Sequence, residues 1–456
     1  MTCDLKPYPA YKDSGVPWLG DVPAHWVIKP LKRWVRINVE VLPENTDANC
    51  EFRYLDIGTV GTGILTGKPQ RLKFGGAPSR ARRVLHRGDT IISTVRTYLK
   101  AVYFVSEDAH DLIASTGFAV LTPVQGVDPR FLSFLVQSDP FTDRVSADSV
   151  GTAYPAIAET RLGTFHVAIP PLPDEQLAII RYLDYMDRRI RRYIRAKQKL
   201  IALLNEQKQG IIQQAVTRGL NPDVRLKPSG VEWLGDVPEH WEVRQLGRFI
   251  TLQRGFDITK ERQTDGTVPV VSSGGISSYH NQSTSPGPGV VVGRKGSAGT
   301  VHFIAGEFWA HDTTLWVRTF HGNHPRFVYY VLCHLDLKRF DTGSANPTIN
   351  RNIVHPEIVQ FPPPDEQRMI ASFLDDVFDK TGRMIDDAQR EIALIREYRT
   401  RLIADVVTGK LDVRAAAQGL PEEGEGLEAL DEGEVLSEGA EVKEGDLDAA
   451  SEEVDA

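Results

Sequence analysis

The chain contains two different motifs, and each motif occurs twice in the same order. Ser14-Gly-Val-Pro-Trp-Leu-Gly-Asp-Val-Pro-Ala-His-Trp26 recurs as Ser229-Gly-Val-Glu-Trp-Leu-Gly-Asp-Val-Pro-Glu-His-Trp241, and Pro171-Leu-Pro-Asp-Glu-Gln176 recurs as Pro362-Pro-Pro-Asp-Glu-Gln367. The first pair lies 215 residues apart and the second 191, so the segment between the motifs is 24 residues shorter in the second copy. A constant framework around a variable segment predicts two related domains with different targets.

The length and composition agree with two soluble domains. At 456 residues the chain is too long for one hydrophobic core, and 41% hydrophobic with 25% charged residues is ordinary for a globular protein. The three cysteines are scattered without a CxxC pair, which favours reduced thiols. Neither a signal peptide nor an apolar run of membrane-spanning length is visible, so we expect a cytoplasmic protein.

The net charge of −8 arises from one end of the chain. Residues 421–456 hold 15 acidic residues and one lysine, which leaves 52 basic and 46 acidic residues in 1–420. The sequence therefore describes a mildly basic body with an acidic tail that lacks aromatic residues. Such a composition predicts disorder for the tail. We expect the tail to keep the chain in solution, and a binding site is the alternative.

Short apolar runs separated by glycine, proline and aspartate precede the second motif in both copies, which predicts α+β domains with irregular loops. Each domain also contains a matching loop, Gly151-Thr-Ala-Tyr-Pro-Ala-Ile157 or Gly343-Ser-Ala-Asn-Pro-Thr-Ile349. The predicted strands are 52–57, 90–95, 101–105, 118–121, 268–271, 290–292, 301–304 and 315–317.

Residues 174–217 and 365–408 are free of proline and carry apolar residues at steps of three and four, which predicts two helices of equal length. At 1.5 Å per residue each helix is roughly 60 Å long. A domain of this size does not bury such a helix alone, so we expect the two to pack as an antiparallel coiled coil with pseudo-two-fold symmetry and a domain at each end. The predicted divisions are 1–172, 173–220, 221–363, 364–412 and an acidic tail at 413–456.

Catalytic motifs are incomplete in this sequence. The Gly61–Lys68 segment resembles a phosphate-binding loop, but its spacing is wrong and Pro69 stands where Ser or Thr is needed. No Asn/Asp-Pro-Pro-aromatic loop of a base methyltransferase is present. The histidines His302, His311 and His334 lack the spacing of zinc ligands. We therefore expect no catalytic residues and no metal site.

A basic segment is the strongest chemical signal. Residues 53–100 contain ten Lys or Arg and two acids, an excess typical of a protein that binds a phosphate backbone, although a solvated basic face is the alternative. Superposing 88–92 on 287–291 brings Arg96 opposite Lys295, each just past a predicted strand. A loop there presents Arg or Lys to base edges, unless the residues merely shape a turn. The candidate DNA contacts are Arg71, Lys73, Arg80, Arg82, Arg83, Arg96, Tyr98, Lys100, Arg254, Lys260, Arg294, Lys295 and Ser297.

The first predicted helix also carries a basic cluster. Seven Lys or Arg fall within residues 188–199. A solvated helix face explains them as well as a surface that screens the phosphates of DNA lying alongside. The residues are Arg188, Arg189, Arg191, Arg192, Arg195, Lys197 and Lys199.

These features together resemble the DNA-specificity subunit of type I restriction–modification systems. The resemblance is carried by the Trp-Leu-Gly-Asp-Val-Pro-x-His-Trp start of each copy and by Pro-Pro-x-x-Glu-Gln before each long helix, with one residue more in the first copy at Pro170–Asp174. Gly293-Arg-Lys-Gly-Ser-Ala-Gly299, His311-Asp-Thr-Thr314 and the loop ending at Ile349 also match, over roughly 10–415. The first copy departs from the pattern, because Ser93-Thr-Val-Arg-Thr-Tyr-Leu99 replaces Gly-Arg-Lys-Gly-Ser.

The resemblance implies two target-recognition domains separated by helical regions. Each domain is expected to recognise one half of a bipartite, asymmetric site in double-stranded DNA. The family's subunit is non-catalytic and holds two modification subunits, which use S-adenosylmethionine, and through them the restriction subunits, which use ATP and Mg. Two alternatives stay open: a single-chain restriction or methylation enzyme with an unrecognised catalytic part, and a coiled-coil scaffold without a DNA role.

Overall fold

The computed structural model describes residues 5–107, 109, 111–341 and 348–421. The chain divides into two compact units, a first unit of Met1–Arg195 with Ile392–Ala456 and a second unit of Ala196–Glu391. Among the described residues, every helix is too short or too polar to cross a membrane.

The first unit is built on two four-stranded sheets, ordered β6-β5-β10-β7 and β4-β11-β8-β9, with the small pairs β1-β2 and β12-β3 beside them. Three helices, α1 Pro129–Gln137, α2 Asp139–Ala147 and α3 Glu159–Leu162, follow the sheets along the chain. The strands are β1 Tyr11–Asp13, β2 Asp21–Pro23, β3 Val27–Pro30, β4 Val35–Ile37, β5 Glu51–Leu55, β6 Gln70–Lys73, β7 Ala81–Val84, β8 Thr90–Ser93, β9 Val102–Phe104, β10 Leu112–Ser115, β11 Phe118–Pro123 and β12 His166–Ile169.

The second unit repeats this frame in a shorter form. Its sheet β16-β22-β19-β20 has the order and antiparallel pairing of β4-β11-β8-β9, and β18-β17-β21 matches β6-β5-β10, including one parallel pair in each. The strands are β13 Leu226–Pro228, β14 Asp236–Pro238, β15 Glu242–Gln245, β16 Thr251–Arg254, β17 Val268–Ser272, β18 Gly275–His280, β19 Gly289–Gly293, β20 Val301–Ile304, β21 Trp309–Ala310, β22 Thr314–Thr319 and β23 Ile358–Phe361. The short helices are α5 Leu246–Phe249, α6 Pro325–His334 and α7 Arg351–Val354.

All eight strands predicted from the apolar runs are present, with ends within about two residues of the prediction. Helices α1 and α6 were not predicted. Each begins with a proline in its first turn and buries an apolar face that includes Phe131 or Phe327. They pack against the sheet and complete the core of their unit.

Two long helices, α4 Pro173–Arg218 and α8 Pro364–Val407, correspond to the predicted helical segments. In the first unit the beginning of α4 packs against the end of α8. Ile179 and Leu183 of α4 lie in one core with Leu402 and Val406 of α8. Asp187 of α4 binds Arg399 of α8 at a largely buried position.

In the second unit the end of α4 packs against the beginning of α8. Lys197 Nζ lies 2.7 Å from Glu391 Oε2, and the Lys208 ammonium lies 4.0 Å from the centre of the Phe378 ring. From one of these contacts to the next, the residue numbers of α4 increase while those of α8 decrease. The two helices are therefore antiparallel within each unit, as the sequence predicted.

The repeated motifs meet at the start of each long helix. Gln176 accepts a hydrogen bond from the Asp128 N–H (2.7 Å) and donates to the carbonyl of Pro170 (2.8 Å). Gln367 does the same with the His324 N–H (2.8 Å) and the Pro362 carbonyl (2.8 Å). Because both amide groups are buried, these contacts fix the angle between the helix and the strands before it.

The segment after α8 packs onto the first unit. The strand-like bridge Lys6–Asp412 joins it to the start of the chain, and α9 Arg414–Gln418 follows. Val413 and Ala417 are buried in the core of the first unit. The predicted tail boundary at 413 therefore falls inside a packed segment, and residues 422–456, which hold most of the predicted tail, lie outside the described residues.

Candidate nucleic-acid interface

In the first unit the loop after β8 presents Arg96 and Tyr98 to solvent. Arg96 adopts a left-handed backbone conformation (φ 51°) and its N–H donates to the Pro155 carbonyl (2.8 Å). Its guanidinium lies 4.8 Å from the centre of the Tyr154 ring, and Tyr98 and Tyr154 are 58% and 66% exposed. A cation among exposed aromatic rings is suited to both phosphate and base contacts.

Three other basic candidates of the first unit have carboxylate partners within the protein. Arg80 Nη2 lies 2.6 Å from Asp56 Oδ2, and Arg83 Nη2 lies 2.6 Å from Glu159 Oε1.

Lys100 Nζ lies 2.7 Å from both Asp139 Oδ1 and Asp143 Oδ1. A DNA phosphate must compete with these carboxylates. The assignment of Arg80, Arg83 and Lys100 as DNA contacts therefore stays a prediction. Each of them already has a structural role as the partner of a carboxylate.

The remaining candidates of the first unit lie on the edges of one sheet. Arg71 and Lys73 are exposed on β6, and Arg82 lies on β7, at the opposite edge of the order β6-β5-β10-β7. Three inter-strand spacings of about 4.8 Å separate these edges by roughly 14 Å. Arg82 stacks on the Phe74 ring at 4.7 Å, and Lys73 Nζ lies 3.7 Å from Glu51 Oε1.

In the second unit the loop after β19 exposes Lys295 and Ser297. The N–H groups of Arg294 and Lys295 both donate to the Thr313 carbonyl, at 2.8 and 3.1 Å. Gly296 and Gly299 adopt positive φ angles of 73° and 84°, which a glycine adopts without strain. The local turn therefore explains the glycines of this motif and leaves the Lys295 side chain facing solvent.

The structure brings Arg254 and Arg294 together in one cavity of 510 Å³. Arg254 Nη2 lies 2.8 Å from Asp312 Oδ2, and Arg294 Nη1 donates to the Asp312 carbonyl (3.2 Å). Burial, followed by the charge of Arg254, lowers the pKa of Arg294.

Two further arginines, Arg318 and Arg351, line the same cavity and were missed by the sequence reasoning. They lie 64 and 97 residues from Arg254 along the chain, so only the fold shows their proximity. Lys260 lies on a separate 3₁₀ turn, Lys260–Arg262, and is not among the residues that line the cavity.

The predicted superposition of Arg96 on Lys295 is wrong by one residue. The Thr94 N–H donates to the Gly117 carbonyl, and the Arg294 N–H donates to the Thr313 carbonyl. In the same way the Thr94 carbonyl accepts from the Ile157 N–H, and the Arg294 carbonyl accepts from the Ile349 N–H. Thr94 therefore corresponds to Arg294, which places Val95 opposite Lys295 and Arg96 opposite Gly296.

The shared left-handed conformation of Arg96 and Gly296 agrees with this register. The Ile157–Ile349 correspondence was predicted correctly, whereas residues 343–347 of the second loop lie outside the described residues.

A group of Asp257, His311 and Asp312 offers ligand atoms within 4.8 Å of one another. The Asp312 carboxylate already pairs with Arg254, and His311 Nδ1 lies 3.0 Å from Thr313 Oγ1. These internal partners account for the group without a cation. The expectation of no metal site stays a prediction.

The basic cluster of α4 is partly engaged within the protein. Arg191 Nε lies 2.8 Å from Asp187 Oδ2, and Arg189 lies 5.7 Å from the centre of the Tyr185 ring. Arg189 and Arg192 are exposed. A role of this face beside DNA stays a prediction.

The chain consists of two α+β units that share one strand order, carry different basic loops and are joined by long helices. This arrangement defines a duplicated recognition protein. The family model described as "Type I restriction modification DNA specificity domain" matches residues 72–201 and 238–392. The chain belongs to this family. Most of the first matched segment lies in the first unit and most of the second in the second unit, so the family match supports the duplication seen in the strand order.

Two curated relatives come from Methanocaldococcus jannaschii. The type I restriction enzyme MjaVIII specificity subunit is 28% identical over 111 residues, which are 24% of this chain and 24% of that protein. The putative type I restriction enzyme MjaX specificity subunit is 22% identical over 279 residues, 57% of this chain and 62% of that protein. The similarity thus spans less than two thirds of either relative.

One solved structure supports the fold. A chain from a structure of complex assembly and conformational transition of the type I R-M system is 20% identical, with a TM-score of 0.69 over 86% of this chain and 99% of that chain. The HsdS subunit from Thermoanaerobacter tengcongensis has 20% identity and a TM-score of 0.48 over 86% and 98%.

Proposed function

We propose that this chain is the non-catalytic DNA-recognition subunit of a type I restriction–modification complex, in which each unit recognises one half of a bipartite, asymmetric site. The proposal rests on one observation: the two units share a strand order but carry different basic loops. The loop after β8 presents Arg96 beside Tyr154, whereas the loop after β19 presents Lys295 beside a cavity lined by arginines. Different side chains on one frame fit different half-sites.

A segment exchange tests this function. The sequence favours moving residues 24–172, and the structure narrows the segment to 27–169, from the start of β3 to the end of β12. Strands β3 and β12 pair with each other, so the segment between them is exchanged as a whole. Trp26 and Glu175 lie outside it, in the motifs that both units share. Transfer of this segment into a related subunit should change one half of the methylated site, as mapped by sequencing modified adenines. A change in both halves would refute the modular assignment.

We further propose that the long helices hold two modification subunits. Each unit exposes an apolar pair at i, i+4 spacing on α8, Leu394 and Tyr398 in the first and Met369 and Phe373 in the second. Exposed apolar pairs on a helix fit the face of a partner helix. The restriction subunits would join through the modification subunits, and S-adenosylmethionine, ATP and Mg would be bound by these partners in the cytoplasm.

Separate charge substitutions test the two docking sites. The double variants Leu394→Glu/Tyr398→Glu and Met369→Glu/Phe373→Glu should each lose one modification subunit from a reconstituted complex, measured by mass photometry. The matched control is Arg390→Glu, which changes an exposed residue of α8 that already pairs with Asp387. Complexes of unchanged mass would exclude these pairs as docking sites.

A further inference from the structure

The cavity of the second unit is lined by arginines from four separate chain segments. Among the residues that the structure describes, its lining contains no carboxylate, and the polar residues other than arginine are Gln253, Thr348 and Asn350. At 510 Å³ it has the size of a site for a small ligand group. The four arginines are Arg254 at the end of β16, Arg294 after β19, Arg318 on β22 and Arg351 at the start of α7.

This concentration of positive charge is only partly neutralised inside the protein. Asp312 pairs with Arg254, and the backbone carbonyls of Asp312 and Leu252 accept from Arg294 and Arg351. Arginine stays protonated at any physiological pH, so the guanidinium groups repel one another in the free protein. An anion between them removes this repulsion. The lowered pKa of Arg294, caused by burial and then by Arg254, agrees with such crowding.

The fold does not require these arginines, because the first unit places other residues at the equivalent positions. Thr94 corresponds to Arg294 through the backbone hydrogen bonds described above. Thr122 and Arg318 are the fifth residues of β11 and β22, whose first residues pair with Ser93 and Gly293.

The other two positions follow from the same register. Glu159 and Arg351 begin the four-residue helices α3 and α7. Leu252 pairs with β22 in the same way as Ile37 of β4 pairs with β11, so Leu252 corresponds to Ile37. Arg254 lies two residues after Leu252, and its counterpart is therefore Val39. Val39, Thr94, Thr122 and Glu159 carry no positive charge. The arginines therefore belong to the variable part of the second unit.

We propose that this four-arginine cavity binds the phosphodiester backbone of DNA, and that Arg318 and Arg351 are contact residues of the second unit. The proposal rests on the function proposed above and adds the chemistry of one anchoring site. Planar guanidinium groups match phosphate oxygens in a bidentate geometry. Lys295 lies next to Arg294, so a phosphate held in the cavity places the exposed residues 295–297 beside the neighbouring base pairs.

Salt dependence of DNA binding tests the proposal. Binding of the full-length chain with its companion subunits to a duplex that carries the recognition site is measured by fluorescence anisotropy between low and moderate salt. Arg318→Gln and Arg351→Gln should each weaken binding and each reduce the slope of log K against log salt by about one. Arg318→Lys should keep the slope of the unaltered protein. The control Arg248→Gln changes an exposed arginine of α5 outside the cavity and should leave the slope unchanged.

Three results would overturn the proposal. Slopes unchanged by both glutamine variants, while the unaltered protein binds the duplex, would refute the cavity assignment and leave the proposed function intact. Calorimetric titration with deoxyadenosine monophosphate distinguishes a site for a free nucleotide from a site for the DNA backbone. Tight binding of this probe, lost in Arg318→Gln with duplex binding unaffected, would also refute the backbone assignment. If the unaltered assembly failed to bind duplex DNA at all, both proposals would fail.

Discussion

The indole Nε1 of Trp26 donates a hydrogen bond of 2.9 Å to Oε1 of Glu175, across 149 residues of chain. The second oxygen of this carboxylate lies 2.8 Å from His25 Nε2. The second unit repeats the arrangement, because Trp241 donates to Glu366 Oε1 at 3.2 Å and His240 lies 2.7 Å from Glu366 Oε2. The two repeated motifs of the sequence are thus the two halves of one contact, which ties each long helix to the start of its unit.

Removal of the Glu175 carboxylate should destabilise the first unit. Trp26 is fully buried and the Glu175 side chain is 2% exposed, so Glu175→Ala leaves a buried N–H without an acceptor. Such a loss costs about 2–3 kcal/mol. The Glu366 side chain is 29% exposed, and we expect about 1 kcal/mol for Glu366→Ala because water can replace the acceptor.

Native-state hydrogen exchange measures each unit separately and checks this order. Faster exchange should be confined to the unit that carries the substitution. Equal destabilisation by the two variants would contradict the difference in burial.

Asp187 should stabilise the helix pairing of the first unit in a manner that depends on pH. Burial raises the pKa of its carboxyl group, but the charges of Arg399 and Arg191 outweigh this effect and hold the pKa below its ordinary value. A lowered folded-state pKa adds stability above the unfolded value of about 3.9, and this stability is lost as the pH falls further. At pH 7 we expect Asp187→Asn to cost about 2 kcal/mol, since both arginines keep some exposure to water.

Chemical denaturation at pH 7 and near pH 3 checks this pH dependence. The difference between Asp187→Asn and the unaltered protein should shrink on acidification, because the Asp187 carboxylate of the unfolded chain takes up a proton at a higher pH than that of the folded chain. The control Asp387→Asn removes an exposed pair with Arg390 and should change stability little at either pH. A difference that is constant with pH would contradict the charge-based account.

The sequence was sufficient to predict the duplicated frame, because its periodic signals are long or repeated. The proline-free segments predicted α4 and α8 to within a few residues, and alternating or continuous apolar runs located strands such as β8 and β19. Glu175 and Glu366 belong to the repeated motifs, although only the fold shows that Trp26 and Trp241 are their partners. Local patterns therefore indicated which elements form.

The sequence could not predict which side chains meet between separate elements. Arg318 and Arg351 carry no motif, and they join Arg254 only after β16, β22 and α7 are brought together. The charge of the basic segment 53–100 predicts Lys100 as a DNA contact, but α2 supplies Asp139 and Asp143 as its partners. The one-residue error in aligning Arg96 arose because Gly287 lies six residues before Gly293, whereas Gly88 lies only five residues before the corresponding Ser93.

The two described cysteines should differ sharply in reactivity. Cys50 is exposed, whereas burial raises the pKa of the Cys333 thiol to about 11. Because the thiolate is the nucleophile, iodoacetamide at pH 8 should alkylate Cys50 at least roughly 100-fold faster than Cys333. Peptide mass spectrometry of a Cys3→Ser variant checks the two rates. Urea should make the two rates similar, and equally fast labelling of the folded chain would contradict the raised pKa of the Cys333 thiol.

Arg96 and Lys295 should each contribute to DNA binding through charge, although they occupy different positions of their loops. We expect Arg96→Gln and Lys295→Gln each to lower the slope of log K against log salt by about one, if each neutralises one phosphate. Arg96 also stacks on Tyr154, so Tyr154→Ala should weaken binding with the slope kept, because it removes ring contact and no charge.

Fluorescence anisotropy at several salt concentrations separates these effects, with the exposed Arg33→Gln as a control of the first unit. Duplexes altered in one half-site at a time then assign each residue to its half. Arg96→Gln should reduce discrimination in one half and Lys295→Gln in the other, since the loops belong to different units. Affinity unchanged at every salt concentration would exclude both residues as contacts, and loss of discrimination in the same half would contradict separate recognition by the two units.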